Sequence, residues 1–515
     1  MAAPQTYTGN GLTVTIADPE NITKDECLQL ARAGKEAWNS WRRDFPVRKN
    51  PHGTWVNTVD FSVVDLRGRV NEFGEFEFGH AATFKSAKFA DNINFSNSEF
   101  GEAATFSETS FDGVARFDAV RFGDWANFSK AQFAEIVDFS RAIFGGWANF
   151  NGSQFAADAL FVGTEFGGRA EFMGSQFGGK VRFNNAVFRS DALFEGAQFS
   201  TTSYFTNVRF DQKVSFIGQD WTALNRHYGN RFAERKSWAI DRGMSPSSFA
   251  RTIFDGTTFE GQADFNGRVL TQPTRFSTLR SDLDSIRLRI RDVKSQSNTL
   301  AVFDFDTPIE RVGSPVHFKT VPHFHNAELH QDTTFDGAIF PEATGDETAI
   351  RAYRTLKLAF SKQQAIREEQ LFFRLEMLEE AARESWQKRW LYKLYSCVSD
   401  FGFSIWRPLL VLIVLPAVIA LLLYASLCLS SPPGLGLRIM ADAPDLMRQW
   451  LQFGLINMSP FPNSESLKDL REALFGGNDS AIKMVTWGIE TAQKLLALIG
   501  YFLMGLALRN LFKMK

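Results

Sequence analysis

From Phe84 onward, phenylalanine recurs at 89, 95, 100, 106, 111, 117, 122, 128, 133, 139 and 144, then at 150, 155, 161, 166, 172, 177, 183, 188, 194, 199, 205, 210 and 216. The steps alternate five and six without an error, which makes twelve units of eleven residues. A helix can also carry an eleven-residue period. These units, however, are crowded with Gly, Asn, Asp, Ser and Thr, as in GGWANFNGSQF, and such residues do not sustain a helix. Two residues before the Phe stands a small or β-branched residue, for example Ala82, Ala104, Val137, Ala159, Val181 and Val214. Positions i−2 and i share one face of a strand, so each step supplies a short strand with an inward pair. The chain holds 52 Phe against 8 Tyr, so the ring is used as an apolar plug rather than for its hydroxyl.

This spacing resembles the pentapeptide-repeat family, in the variant with Phe at the central position and an extra residue at alternate corners. The resemblance implies a mainly β fold, a right-handed quadrilateral β-helix with four Phe faces and 22 residues per coil. Twelve units then give six coils, roughly 29 Å of regular column at about 4.8 Å per stacked strand. Phe84, Phe89, Phe95, Phe100, Phe150, Phe155, Phe205 and Phe210 are expected in its dry core, each burying on the order of 150 Å². Such a column is rigid and offers no chemistry of its own.

The spacing returns at Phe254, Phe259, Phe265, Leu270 and Phe276, and again at Phe318, Phe324, Leu329, Phe335 and Phe340. Phe61, Leu66, Phe73 and Phe78 make weaker opening coils. Residues 217–248 and 277–317 break the pattern; the first contains NRHYGNRFAERKSW, which suits a helix. Insertions in a solenoid commonly fall on a binding face. Residues 24–43 read as a helical cap over the open end, with Trp38 and Trp41 on its apolar side. The segment Trp38–Arg42 resembles one that precedes the repeats in related proteins. The organisation expected is therefore a cap at 1–60, the regular β-helix at 61–216, its interrupted continuation at 217–345, linker helices at 346–404 and a membrane domain at 405–515. The linker carries Leu356, Phe360, Leu371, Phe372, Leu375 and Leu378 as a packing stripe.

Residues 408–429 are uncharged and apolar, and 22 residues at 1.5 Å each reach about 33 Å, enough for a hydrocarbon core of roughly 30 Å. Residues 484–508 form a second expected span that contains Glu490 and Lys494. Lys388, Arg389, Lys393 and Arg407 precede the first span, and Arg509, Lys513 and Lys515 follow the second. Both termini are thus expected on the cytoplasmic side of a bacterial inner membrane. The N-terminus has neither a basic start nor an apolar core, as expected of a chain that begins in the cytoplasm. Residues 443–463 form a candidate re-entrant element ending at Pro460 and Pro462.

Two spans with such an element resemble the two-transmembrane module of the potassium-channel superfamily, and the ending LALRNLFKMK is similar to its closing helix in bacterial repeat proteins. No TVGYG-like filter is present, so potassium selectivity does not follow. Asn457, Ser459 and Pro460 are candidates for a hydrated constriction, and Thr486, Glu490, Gln493 and Lys494 for a pore-facing stripe. The alternative for Glu490 and Lys494 is an i, i+4 ion pair near the interface. Four copies are implied by the resemblance, with five left open.

His317, His323, His325 and His330 lie within fourteen residues, and His323 with His325 is a candidate metal pair, weighed against solvated positions on a coil. Cys27, Cys397 and Cys428 stand too far apart for a zinc motif or disulfide framework. The formal charge is −2, and residues 84–216 carry 12 Lys and Arg against 15 Asp and Glu, too even for a DNA mimic or a nucleic-acid partner. No phosphate loop, nucleophile elbow or HExxH occurs, so neither enzyme activity nor a cofactor is expected. The sequence is thus read as an oligomeric membrane ion channel, cation-permeable and regulated by its cytoplasmic column. Its partners would be the bilayer, inorganic ions, further copies of itself and an unidentified cytoplasmic protein or ligand. The alternative is a membrane-anchored scaffold without transport.

Overall fold

The computed structural model describes residues 3–19, 21–49, 55–56, 58–66, 71–218, 248–278, 314–412 and 480–512, with a few positions between 414 and 469. The chain divides into two compact units, Met1–Glu342 and Ala343–Lys515.

The first unit is a β-helix. Phe111 pairs in parallel with Phe89 on one side and Phe133 on the other, so one coil takes 22 residues. Two faces are ladders of eight strands each, and the other two are joined through the strand Glu99–Thr105, which turns a corner. Eight stacked strands rise roughly 34 Å. Phe84, Phe89, Phe95, Phe100, Phe150, Phe155, Phe205 and Phe210 are all buried. Their rings obey two geometries at once. Along the axis they stack, as Phe150 does on Phe172 at 4.8 Å and 1°. Across a coil, rings eleven residues apart meet edge to face, as Phe150 does with Phe161 at 5.6 Å and 89°, whereas Phe150 and Phe155 tilt at 42°. Both arrangements suit the ring quadrupole.

The corners explain the alternation of five and six. In the five-residue step the second residue after Phe is left-handed, as at Ser86, Ala119, Lys130, Gly163 and Gly174. The six-residue step carries the added residue, and along one such corner Gly101, Gly123, Gly145 and Gly167 stack so closely that a Cβ on Gly123 would lie 2.3 Å from the Gly101 carbonyl oxygen.

The interruptions leave this frame intact. Phe199 pairs with Phe249 and Phe259 with Phe318, so after each insertion the chain rejoins the ladder that is next in turn. Phe249 is a ladder member just past the first break, ahead of the Phe254 at which the spacing was read as returning. Residues 219–247 and 279–313, including the basic aromatic stretch, lie outside the described residues.

Ahead of the coils, the helical cap expected over 1–60 holds an antiparallel hairpin, Gln5–Gly9 with Leu12–Ile16, followed by two helices. Helix α1 (Lys24–Arg32) opens on Thr23, whose hydroxyl accepts from Glu26 N while the Glu26 carboxylate accepts from Thr23 N. Helix α2 (Lys35–Asp44) buries Trp38 and Trp41 completely. Trp38 lies 5.3 Å from Phe76 and 5.4 Å from Phe78, and its Nε1 donates to the Glu77 carbonyl at 2.8 Å. The Trp38–Arg42 segment is therefore a plug on the first coil, with both indoles inaccessible to a ligand.

The second unit contains α3 (Glu347–Lys362), α4 (Ile366–Arg383), α5 (Trp386–Ser399) and the long α6 (Ser480–Phe512). Asp346 caps α3 by accepting from Thr348 N at 3.1 Å. Helices α3 and α4 form a hairpin in which Phe360 stacks on Phe372 at 5.6 Å. Leu356, Phe360 and Phe372 of the expected stripe are buried, but Leu378 is exposed. The α4 face that carries it inward would have to displace Glu376 and Glu379, which occupy the interior instead.

Candidate functional site

Two regions of the helical unit present surface that water does not favour. The first is α5. Trp386, Trp390, Leu391 and Leu394 are exposed, Trp386 by 76%. At 100° per residue these four fall on one arc of the helix, and Lys388, Arg389 and Lys393, also exposed, fall on the rest. Exposed Trp406 and Arg407 continue the pattern at the start of the next helical segment.

The second is α6. Trp487, Leu495, Leu498, Ile499 and Phe502 are exposed, while Ala497 packs with Leu412, Tyr501 and Met504. Of the residues expected on the pore stripe, Gln493 is buried within the single chain at 2% exposure and Lys494 is exposed. They therefore do not share one face. Thr486 and Glu490 belong to α6, but their side chains lie outside those described. Asn457, Ser459 and Pro460 lie outside the described residues, as does most of 408–429 and of the re-entrant candidate 443–463. The expected span 484–508 falls within α6. Among the described residues no helix is long and apolar enough to cross a membrane.

The hairpin that leads into these helices is tied by buried carboxylates that hydropathy gave no reason to place inside. Glu376, 2% exposed, accepts from Arg354 Nε at 2.6 Å and Lys357 Nζ at 2.5 Å. Glu379 accepts from the backbone N–H of Thr344 at 3.0 Å and of Gly345 at 2.7 Å. Both carboxylates position the hairpin.

On the column, His317 sits in the ladder beside Thr258, His323 bridges to Asp264 and His325 is exposed, its N–H donating to Asn266 Oδ1. His330 lies 3.7 Å from Asp332. Among the described residues no group of three or more His, Cys, Asp or Glu side chains could hold a metal ion. Cys27 is buried, and burial pushes its thiol up to about 12, so it is inert as a nucleophile. Outside the column, Trp125 and Trp147 stack at 5.8 Å and remain more than a third exposed.

The sequence family described as pentapeptide repeats (9 copies) matches residues 95–143 and 172–218, both inside the β-helix. The chain carries pentapeptide repeats. The matched stretches contain the left-handed corners at Asn97, Glu108, Ala119, Lys130, Arg141, Gly174, Asn185, Gly196 and Asn207, so they fall on regular coils of the column. No curated protein and no solved structure matches the chain. The pentapeptide-repeat column is thus the established part, and the match does not extend to the helical unit.

Proposed function

We propose that this is a membrane-docked, self-associating pentapeptide-repeat protein. In this reading the C-terminal helices attach and assemble the chain at a bacterial inner membrane. The column then stands on the cytoplasmic side as a rigid scaffold for a protein or ligand. The observation that carries it is the surface of α5, where Trp386, Trp390, Leu391 and Leu394 are exposed beside Lys388, Arg389 and Lys393. A helix with an aromatic and leucine arc and a basic remainder is suited to lie in the headgroup region of an anionic bilayer. The exposed apolar residues of α6 support burial against lipid or further copies, since a patch of that size is not left bare in water. The test is flotation of the purified protein with vesicles of increasing anionic lipid content. Binding is expected to rise with anionic lipid, and Trp386→Ala with Trp390→Ala is expected to weaken it. Indifference to both lipid charge and the two tryptophans would reject the reading.

A second, narrower reading is ion conduction by four or five assembled copies. It is favoured by the polar residues Glu490, Gln493 and Lys494 within an otherwise apolar stretch, which a plain anchor does not need. Current from the protein in synthetic bilayers, altered by Glu490→Ala, is its expected signature. Vesicle binding without current would leave the anchored scaffold.

A further inference from the structure

Between α4, α5, the turn after α5 and the last turns of α6 lies a hollow of about 170 Å³, lined in part by Glu369, Phe373, Tyr395, Phe401, Phe403 and Arg509. At ~30 Å³ per water it holds the equivalent of roughly five or six waters, room for a small organic molecule.

Its walls are aromatic and ordered. Phe373 meets Phe403 edge to face at 5.7 Å, and Tyr395 meets Phe401 at 5.5 Å and 89°. Two of these rings already receive protein cations: Lys357 Nζ lies 5.5 Å from the centre of Phe373, and the Arg374 guanidinium 5.1 Å from that of Phe403. The turn that delivers the rings is unusual. Asp400, Phe401 and Gly402 have φ of 51°, 55° and 85°, a left-handed run that a bulky Phe adopts only at a cost. It is pinned by the Arg374–Asp400 ion pair at 2.8 Å and by Gly402 N–H donating to Ser399 Oγ at 3.1 Å. The backbone thus accepts strain to place Phe401, 3% exposed, and Phe403 in the wall.

The charges point to the ligand. Glu369 and Arg509 both line the hollow, and among the described residues neither has an ion-pair partner. Gln370 also lines it, with its Nε2 buried and unbonded. An anion, a cation and four aromatic rings around one small volume form a site for opposite charges carried on one compact molecule.

We propose that this hollow binds a small zwitterion, its organic ammonium set against the aromatic rings beside Glu369 and its anionic group against Arg509. Aromatic cages hold such cations through the ring quadrupole. The same chemistry occurs in a free solute such as glycine betaine and in the phosphocholine or phosphoethanolamine headgroup of a lipid.

The test is titration calorimetry of the full-length protein in non-ionic detergent with glycine betaine, phosphocholine, phosphoethanolamine and tetramethylammonium. At least one zwitterion is expected to bind saturably, one per chain, and more tightly than tetramethylammonium by roughly tenfold. Which zwitterion binds best identifies the source. Glu369→Gln is expected to weaken zwitterion and plain cation alike, whereas Arg509→Gln weakens only the zwitterion; Arg509 is exposed near the helix end, so that variant keeps the fold. The inference is overturned if no zwitterion binds saturably. It is equally overturned if Arg509→Gln leaves zwitterion affinity unchanged. Loss of vesicle docking in the α5 tryptophan variants would not bear on this result, because those residues do not line the hollow.

Discussion

The guanidinium of Arg268 reaches past its own coil to donate from Nη1 to the Ala197 carbonyl at 2.7 Å. Arg268 is the third residue after Phe265, a position filled in the five-residue steps of the regular run by Ala, Ser, Thr or Val. Ser153, Thr164 and Ser175 there donate to the carbonyls of Phe128, Phe139 and Phe150 one coil away. Arg268 Nε makes the corresponding bond to Phe216 at 2.7 Å, and Nη2 goes on to Phe194 at 3.0 Å and Ile217 at 3.2 Å. The insertion at 219–247 interrupts the corner that would otherwise lie between, so one long side chain satisfies carbonyls that two coils expose. The guanidinium also covers Phe249 at 4.4 Å. Burial lowers its pKa to about 9, still high enough to keep it charged at neutral pH.

Arg268→Met is therefore expected to cost at least about 3 kcal/mol, since buried carbonyls left without donors cost ~1–3 kcal/mol each. Thermal unfolding of the column should register the loss. Amide exchange should localise it to the coils that contain Phe194 and Phe216. Arg268→Lys is expected to recover only part, because an ammonium cannot reproduce the planar fork. Equal melting of all three proteins would contradict the role.

A pH-dependent effect follows from Asp138. Burial raises its pKa to about 6, against the opposing pull of the Ser140 hydrogen bonds. Because the folded value lies above the unfolded one, the carboxyl costs nothing below about pH 4 and its penalty grows as pH rises through 6. Two units correspond to on the order of 3 kcal/mol. Asp138→Asn keeps an oxygen to accept from Ser140 N, which now lies 2.8 Å from Oδ1. The variant is expected to melt higher than the parent at pH 8 and to converge with it near pH 4. A constant difference across that range would show that the carboxyl does not titrate in the folded column.

The corners separate two uses of glycine. Gly163 has φ +65°, and a Cβ there would meet only Arg141 Cγ at 3.8 Å, so Gly163→Ala should cost just the left-handed penalty of about 1 kcal/mol. The reverse change, Ala119→Gly at φ 55°, should stabilise by a comparable amount. Gly123→Ala should cost several times more, because its Cβ would press on the backbone of the coil below. Chemical denaturation of the three variants measures this order directly, and equal effects at Gly163 and Gly123 would contradict it.

Much of the column was legible because one residue type marks every face at a fixed interval. A coil of 22 residues admits a single register, and each Phe names its own neighbours above and below. Phe249 escaped because the insertion erased the spacing before it, and Arg268 because its partners are defined only by that insertion. The helical unit was less legible. Hydropathy placed Leu356, Phe360 and Phe372 correctly, yet it also assigned Leu378 to the interior, since it could not see that Arg354 and Lys357 on the facing helix would draw Glu376 inside. Exposure of the α5 tryptophans was likewise invisible, because an amphipathic pattern shows that a face is apolar without saying what covers it.

Glu376 offers the sharpest test of how the hairpin is held. It is nearly inaccessible and receives two cations, whereas Glu380 on the same helix meets one cation, Arg354 Nη2 at 3.0 Å, with the Tyr392 hydroxyl at 3.4 Å, and is far more open. Removing one member of a buried pair leaves desolvated charge behind and typically costs about 3–5 kcal/mol. Arg354 is nearly half exposed and can retreat to water, so Glu376→Gln should fall at the lower end of that range. Glu380→Gln should cost under about 1 kcal/mol, as exposed ion pairs do. Lys357→Gln in the Glu376→Gln background should cost less than in the parent, because its partner is already gone. Helical circular dichroism on heating would record the parent and all four variants. If Glu376→Gln proved as mild as Glu380→Gln, the hairpin would owe its stability to Phe360, Phe372 and Leu356 rather than to the buried carboxylate.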